Sequence, residues 1–215
     1  MSAFADFIQR FGPIRLLETA NARWQACRVP SRDYPHSAPM FSGKFWTSGY
    51  FLPGEDPAAN ALPWDAIAQD AAESRALAAR LADVLLHTDT DSPYFPCFFR
   101  LPAAPNFGAA LKAALGWQVK AEFEQSKFWG DIQVRALAPD SDAFFWVPLD
   151  DDIVAEYYDP AALVALCEVT ATMRAALAHL RHVTFPEAYV TYPDLWLGRT
   201  PHGSWLGLWA LRVDT

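Results

Sequence analysis

The sequence predicts an α/β (α+β) fold. A mixed or antiparallel sheet is sandwiched by helices as an α/β/α sandwich, with a loop-rich proline and aromatic N-terminal extension. Three observations carry this expectation. Two segments with helical apolar spacing, beginning near Trp64 and at Pro160, enclose a series of short strand-like runs. The last stretch, Leu195 to Leu197 and Trp205 to Val213 around Thr200-Pro201-His202-Gly203, reads as a hairpin. Ahead of Trp64, the prolines at 30, 35, 39, 53, 57 and 63 break any long regular element. Helices at both ends of a run of strands fit a layered sandwich better than repeating βαβ units.

Phe4, Phe7, Ile8 and Phe11 lie at helical spacing, and Gly12-Pro13 ends that first short helix. Phe41, Phe45, Trp46, Tyr50 and Phe51 are too apolar for a disordered linker, so residues 1–63 form an extension packed on a main domain at 64–215. Trp64, Ile67, Ala71, Leu77, Leu81, Val84 and Leu85 mark a helix. Strands are expected at Tyr94 to Leu101, around Trp117 to Phe123, and as a pair flanking Gly130-Asp131, at Lys127 to Trp129 and Ile132 to Leu137. Phe144-Phe145-Trp146-Val147 fits a buried strand or helix edge. Asp159 is placed to cap a helix with Pro160 at its first position, and Leu163, Leu166, Thr170, Met173, Leu177 and Leu180 form one stripe as far as His182. Strands near Tyr189 to Tyr192, Leu195 to Leu197 and Trp205 to Val213 finish the chain. In the last, Trp205, Trp209, Leu211 and Val213 alternate with Leu206, Leu208, Ala210 and Arg212. Apolar residues on both faces describe a central, covered strand.

With 215 residues, 52% hydrophobic and 20% charged, the chain can bury one substantial core without staples. Nothing reaches the ~18 apolar residues of a bilayer span, and Met1-Ser2-Ala3-Phe4-Ala5-Asp6 lacks the order of a secretory signal, so a soluble, cytoplasmic protein without membrane partners is expected. Cys27, Cys97 and Cys167 sit in apolar surroundings without Cys-x-x-Cys spacing and read as reduced core residues. A net charge of −8 argues against nucleic-acid binding, which needs Lys and Arg to neutralise phosphates.

The final strand leads to Asp214 and Thr215, a side-chain carboxylate, a hydroxyl and an α-carboxylate on one stem. Oxygen donors so arranged suit a hard cation such as Mg²⁺ or a cluster of arginines. Two segments resemble the nuclease A inhibitor-like family. Thr88-Asp89-Thr90-Asp91-Ser92-Pro93-Tyr94-Phe95-Pro96, after a helix, is similar to that family's Ser-Glu-Ser-x-Tyr-Pro stretch. Leu195 through Gly207, with the closing Asp214-Thr215, resembles its final hairpin, Gly-Glu-Thr-x-x-Gly-x-x-x-Gly, and its acidic-Thr ending. The order of elements also matches, and the likeness spans from roughly residue 75 to 215. It implies an α/β/α inhibitor of a Mg²⁺-dependent, sugar-nonspecific nuclease, with Thr215 presented to the nuclease's metal and Asp89 assisting. The partner-binding set is then Asp89, Thr90, Asp91, Trp205, Asp214 and Thr215. Thr215 meets metal only through the partner's Mg²⁺ site, and the chain itself needs no cofactor. A carboxylate standing in for a scissile phosphate would block such a site without offering a bond to cleave. The chain departs from the family pattern at Arg199, where the family has Glu, at Ser92, where it has Tyr, and at Asp89, where it has Glu.

Two other classes stay open. An enzyme with a dispersed site would draw on His179-x-x-His182, or on Asp150-Asp151-Asp152 with Glu156. The histidines lack the Glu of His-Glu-x-x-His, and the aspartates lack the loop glycine of a Ca²⁺ site. No Gly-x-Ser-x-Gly, Gly-x-Gly-x-x-Gly or Gly-Lys-Ser/Thr pattern occurs. A small-ligand or carbohydrate-binding module is suggested by nine tryptophans, three of them Trp196, Trp205 and Trp209.

Overall fold

Helices cover both faces of a five-stranded antiparallel sheet, and a separate two-stranded ribbon flanks it, giving the α+β architecture the sequence predicts. The computed structural model describes residues 63–88, 91–101, 106–115, 132–137, 158–184 and 191–213, together with the helical, exposed positions Asp6, Gln9 and Arg10. Those three lie among the residues expected to form the first helix. The rest of the 1–63 extension and the expected elements at Trp117 to Phe123, Lys127 to Trp129 and Phe144 to Val147 fall outside the described residues.

The described elements run α1 (Trp64–Ala79), β1 (Leu85–Leu86), β2 (Ser92–Pro93), β3 (Phe95–Phe99), α2 (Phe107–Leu115), β4 (Gln133–Ala136), α3 (Pro160–Ala176), β5 (Ala178–Thr184), β6 (Thr191–Arg199) and β7 (Trp205–Val213). The sheet order is β3-β7-β6-β5-β4, so β7 is an interior strand between β3 and β6. Its alternation is as the sequence implies. Trp209, Gly207 and Trp205 oppose Phe95, Cys97 and Phe99 of β3, while Leu208 and Leu206 oppose Pro96 and Phe98.

α1 and α3 share one face. Trp64, Ile67, Ala71 and Leu77 of α1 join Leu166, Val169 and Met173 of α3 over Phe98, Trp196, Leu206, Leu208 and Ala210. Arg80 at the end of α1 donates to Thr172 Oγ1 of α3 at 2.8 Å, tying the two helices together. α2 lies against the opposite face, where the Phe107 and Trp205 rings are 4.2 Å apart between centroids. Trp196, fully buried, is the largest closed side chain among the described residues. By apolar area alone such a residue contributes on the order of 3 kcal/mol.

Three boundaries differ from expectation. α1 stops at Ala79, and Leu81 and Val84 are buried in the turn that follows rather than on a continuing helix. α3 starts as predicted, with Ala162 N–H donating to the Asp159 carboxylate at 2.7 Å and Pro160 in the first turn. It ends at Ala176 rather than His182 because Leu177 turns to extended geometry and residues 178–184 become β5 between β4 and β6. The apolar stripe runs on unbroken through Leu177 and Leu180, so period alone does not mark the change; the open edge of β6 takes the segment. The expected strands at Tyr189 to Tyr192 and Leu195 to Leu197 are one strand, Thr191–Arg199, continuous through Asp194. Gly198 explains how α3 can end so close to the sheet. A Cβ there would stand 2.5 Å from Leu177 Cβ and 2.8 Å from Leu180 Cδ2. The segment 107–115, not anticipated as a helix, forms α2 with Asn106 Oδ1 accepting from Ala109 N–H. Cys97 is buried as expected, but Cys167 is exposed on α3.

Candidate functional site

Two ends of the β6–β7 hairpin carry the polar chemistry, and α1 explains why. Its buried stripe contains two polar residues, Asp70 and Ser74, spaced with Ile67, Ala71 and Leu77. A polar group on such a stripe has to find partners across the interface. Ser74 Oγ reaches the Cys97 and Gly207 carbonyls at 2.9 and 3.2 Å, fixing the helix over the β3–β7 pair. Asp70 fixes the turn. Its Oδ2 accepts from Thr200 Oγ1 at 2.9 Å, and its Oδ1 lies 2.9 Å from His202 Nδ1. Thr200 Oγ1 in turn accepts from the Ser204 N–H at 3.1 Å. The turn closes with Thr200 N–H donating to the Ser204 carbonyl and Gly203 N–H to the Thr200 carbonyl. Gly203 has φ +85°, a conformation that favours glycine.

Around the turn stand cations. Arg100 Nη1 donates to the His202 carbonyl at 2.9 Å and to Ser204 Oγ at 3.2 Å. Arg199, exposed, points to the same place: its Nη2 and that of Arg100 are 3.9 and 3.6 Å from the point where a Cβ on Gly203 would sit. The Asp70 carboxylate is 2% exposed and the His202 ring 37% exposed, so the imidazole is held from below by a buried anion. Sequence reasoning treated Thr200 to Gly203 only as a turn. The available signal was Asp70 itself, an acid on the buried face of an otherwise apolar helix.

The other end is the Val213 end of β7. β3 pairs with β7 only as far as Trp209, whereas β6 holds β7 to Val213 opposite Thr191. β1 and β2 pack beside β7. They form an antiparallel ribbon, Leu85 opposite Pro93 and Leu86 opposite Ser92. The loop between them carries His87 and Asp91, with His87 Nδ1 2.7 Å from Asp91 Oδ1. Asp91 is 53% exposed. The His87 ring stands edge-on to Tyr158 at 4.8 Å, and the His87 N–H donates to the Tyr158 hydroxyl at 3.3 Å. Burial raises the Tyr158 hydroxyl pKa, opposed by that hydrogen bond and by its contact with Tyr94 and reinforced by Asp91. Burial pushes Tyr94 well above the usual phenol value, with Tyr158 and Asp194 adding to it.

Of the residues expected to bind a partner, Asp91 is thus an exposed carboxylate oriented by His87 near the Val213 end. Trp205 begins β7, roughly 27 Å away at about 3.4 Å per residue, and is 9% exposed beneath Phe107. Packing accounts for it. Asp89, Thr90, Asp214 and Thr215 lie outside the described residues.

Among the residues of the alternative readings, His179 and His182 are on β5, not on a helix. His182 Nε2 is 3.2 Å from Asp194 Oδ2, and its ring stacks on Trp196 at 5.5 Å and 2°. The Asp194 carboxylate is nearly closed off and has Arg212 Nη1 at 3.8 Å. His182, Asp194 and Arg212 together link β5, β6 and β7 on the covered face, which is a structural role. His179, at φ +53°, sits where the β5–β6 register shifts. Asp150 to Asp152 and Glu156 are outside the described residues. Among the described residues, no group of three or more His, Cys, Asp or Glu could hold a metal ion.

A groove of about 560 Å³ opens between α2 and the β4–β5 edge, lined by Phe107, Lys112, Ile132, Val134, Ala136 and Arg181 among others. Its apolar walls and two cations are chemically distinct from both hairpin ends. No protein-family model and no curated protein matches the chain.

Proposed function

We propose that the chain is a protein-binding inhibitor of a Mg²⁺-dependent, sugar-nonspecific nuclease, acting through the surface at the Val213 end of β7. The observation that supports this reading is a convergence. β2 (Ser92–Pro93) and β7, more than a hundred residues apart in sequence, are packed side by side with β1 next to them. They belong to the two stretches on which the family resemblance rests, Thr88 to Pro96 and Leu195 to the closing Asp214-Thr215. β7 is an interior strand held by β6 as far as Val213, so the Val213 end is stiffly supported. Asp91 then supplies an exposed, oriented carboxylate beside it, of the kind that accepts hydrogen bonds from a metal-bound water or an arginine. In this reading Asp89, Asp91, Asp214 and Thr215 make the contact, and the inhibitor works in the cytoplasm. No helix among the described residues is long and apolar enough to cross a membrane.

The test is digestion of plasmid DNA by such a nuclease in Mg²⁺, with the chain titrated in. Inhibition should saturate near one chain per nuclease. Asp91→Ala should weaken it about tenfold, the effect of one hydrogen bond to a charged group. Undiminished digestion at micromolar chain would sink the reading.

A second reading, a small-ligand module, is supported by the groove beside α2. It predicts a ligand with an apolar body and an anionic group, recognised by Lys112 and Arg181. A shift in Tm caused by such a ligand, abolished in Lys112→Ala and untouched by Asp91→Ala, would favour it over inhibition.

A further inference from the structure

The turn between β6 and β7 has the makings of a site that the inhibitor reading does not use. Two guanidinium groups from different strands approach one point. Arg100 comes from the end of β3 and Arg199 from the end of β6, and the Nη2 atoms stand 3.6 and 3.9 Å from where Gly203 would carry a Cβ. Two like charges brought toward one point repel unless an anion sits between them. Among the described residues neither arginine forms an ion pair with a carboxylate. The contacts of Arg100 are the neutral His202 carbonyl and Ser204 hydroxyl. The acid that reaches the turn from α1, Asp70, directs its oxygens to Thr200 and His202 instead.

The absence of a side chain at Gly203 keeps the space between the two forks open. The turn cannot relax to close it, because Asp70 holds Thr200 and His202 from below and Thr200 Oγ1 holds the Ser204 amide. A pair of guanidinium forks around a gap, one of them held by hydrogen bonds, is an arrangement that recognises oxyanions. A planar carboxylate offers two oxygens and satisfies one fork side-on. A tetrahedral phosphate offers three or four and can meet two forks approaching from different strands. We propose that Arg100 and Arg199, across Gly203, form a binding site for a phosphate group, with Asp70 as the positioning residue that fixes the turn.

The experiment uses the full-length chain labelled with ¹⁵N, following the arginine Nε–H resonances while inorganic phosphate is titrated at constant ionic strength. Acetate is titrated in parallel. The proposal predicts saturable shifts of the Arg100 and Arg199 signals with phosphate and at least tenfold weaker binding of acetate. Arg199→Gln, an exposed position, should lower phosphate affinity about tenfold with the remaining spectrum unchanged. Arg135→Gln, on exposed β4, should leave it unaltered. Gly203→Ala should also weaken binding by filling the gap; should that variant fold poorly because of the positive φ, Arg199→Gln still decides. Asp70→Asn should reduce affinity while keeping both arginines, and Arg199→Lys should restore only part of what Arg199→Gln loses. Shifts that grow linearly without saturating, equal affinity for acetate, or unchanged affinity in Arg199→Gln would each overturn the proposal. The outcome is independent of nuclease inhibition, which concerns the opposite end of the hairpin.

Discussion

The two ends of the β6–β7 hairpin solve opposite problems. At the turn, a buried carboxylate from α1 ties down Thr200 and His202, and arginines crowd the outside. Toward the Val213 end the nearly buried Asp194 carboxylate has His182 at 3.2 Å and Arg212 at 3.8 Å; β6 alone pairs with β7 after Trp209 while β1 and β2 pack beside it, and Asp91 presents an exposed carboxylate. One end is a tightly held turn ringed by arginines, the other an open strand end beside an exposed carboxylate. Between them lies the covered part of the sheet, whose packing makes the hairpin a rigid spacer. Chemistry at each end can therefore be changed separately, provided the middle stays intact.

The sharpest way to break that separation is through the middle. Trp196 is fully buried, stacks on His182 and packs against Tyr94. Trp196→Ala should cost about 3–5 kcal/mol in urea unfolding and disturb both ends together. A loss confined to one end would mean that the ends are not mechanically joined.

Removing the brace at the turn comes next. Asp70→Ala leaves Thr200 and His202 without their buried acceptor and should cost about 2–3 kcal/mol. Amide exchange at Gly203 and Ser204 should quicken while that of Tyr192, Asp194 and Leu195 keeps its rate. Uniform acceleration across both strands would show that Asp70 stabilises the whole fold rather than the turn.

Alkaline pH probes the covered sheet without mutation. Burial pushes the Cys97 thiol well above its ordinary value, and Tyr94 likewise. Both groups stay protonated in the fold while the unfolded chain ionises. Stability is then fully present below the unfolded pKa values and falls as pH rises past about 8.5 for Cys97 and about 10 for Tyr94. Each group contributes a slope of about 1.4 kcal/mol per pH unit above its threshold. In Cys97→Ala the decline should start only near the tyrosine threshold. An identical pH profile in that variant would place Cys97 outside the linkage.

The smallest effect belongs to the open end. The pair of His87 with Asp91 is 2.7 Å long but solvent-exposed, so Asp91→Asn should alter stability by less than about 1 kcal/mol. Any large change there would mean that Asp91 is structural and poorly suited to meeting a partner.

Much of the sheet could be read from the residues because local pattern and tertiary role agree. Alternating apolar faces marked β7 as central, and Asp159-Pro160 marked the start of α3. The end of α3 could not, since Leu177 and Leu180 satisfy a helical stripe equally well and only pairing with β4 and β6 decides for strand. Asp91 was legible as a turn or cap residue after the first helix, and only the family resemblance linked its segment to the tail. The brace at the turn was not, because Asp70 and its partners lie 130 and 132 residues apart. Nothing local joins them, and only an acid on an apolar helix face hinted at a partner elsewhere. Arg100 and Arg199 likewise meet only because β3 and β6 flank β7.

The most direct test of the account is a hydrogen-exchange footprint of the chain bound to a Mg²⁺-dependent sugar-nonspecific nuclease. Protection should appear at residues 86–93 and 211–213, with 199–204 exchanging as in the free chain. Protection centred on the turn, or none at either end under saturating nuclease, would contradict the claim that the Val213 end is the inhibitory surface.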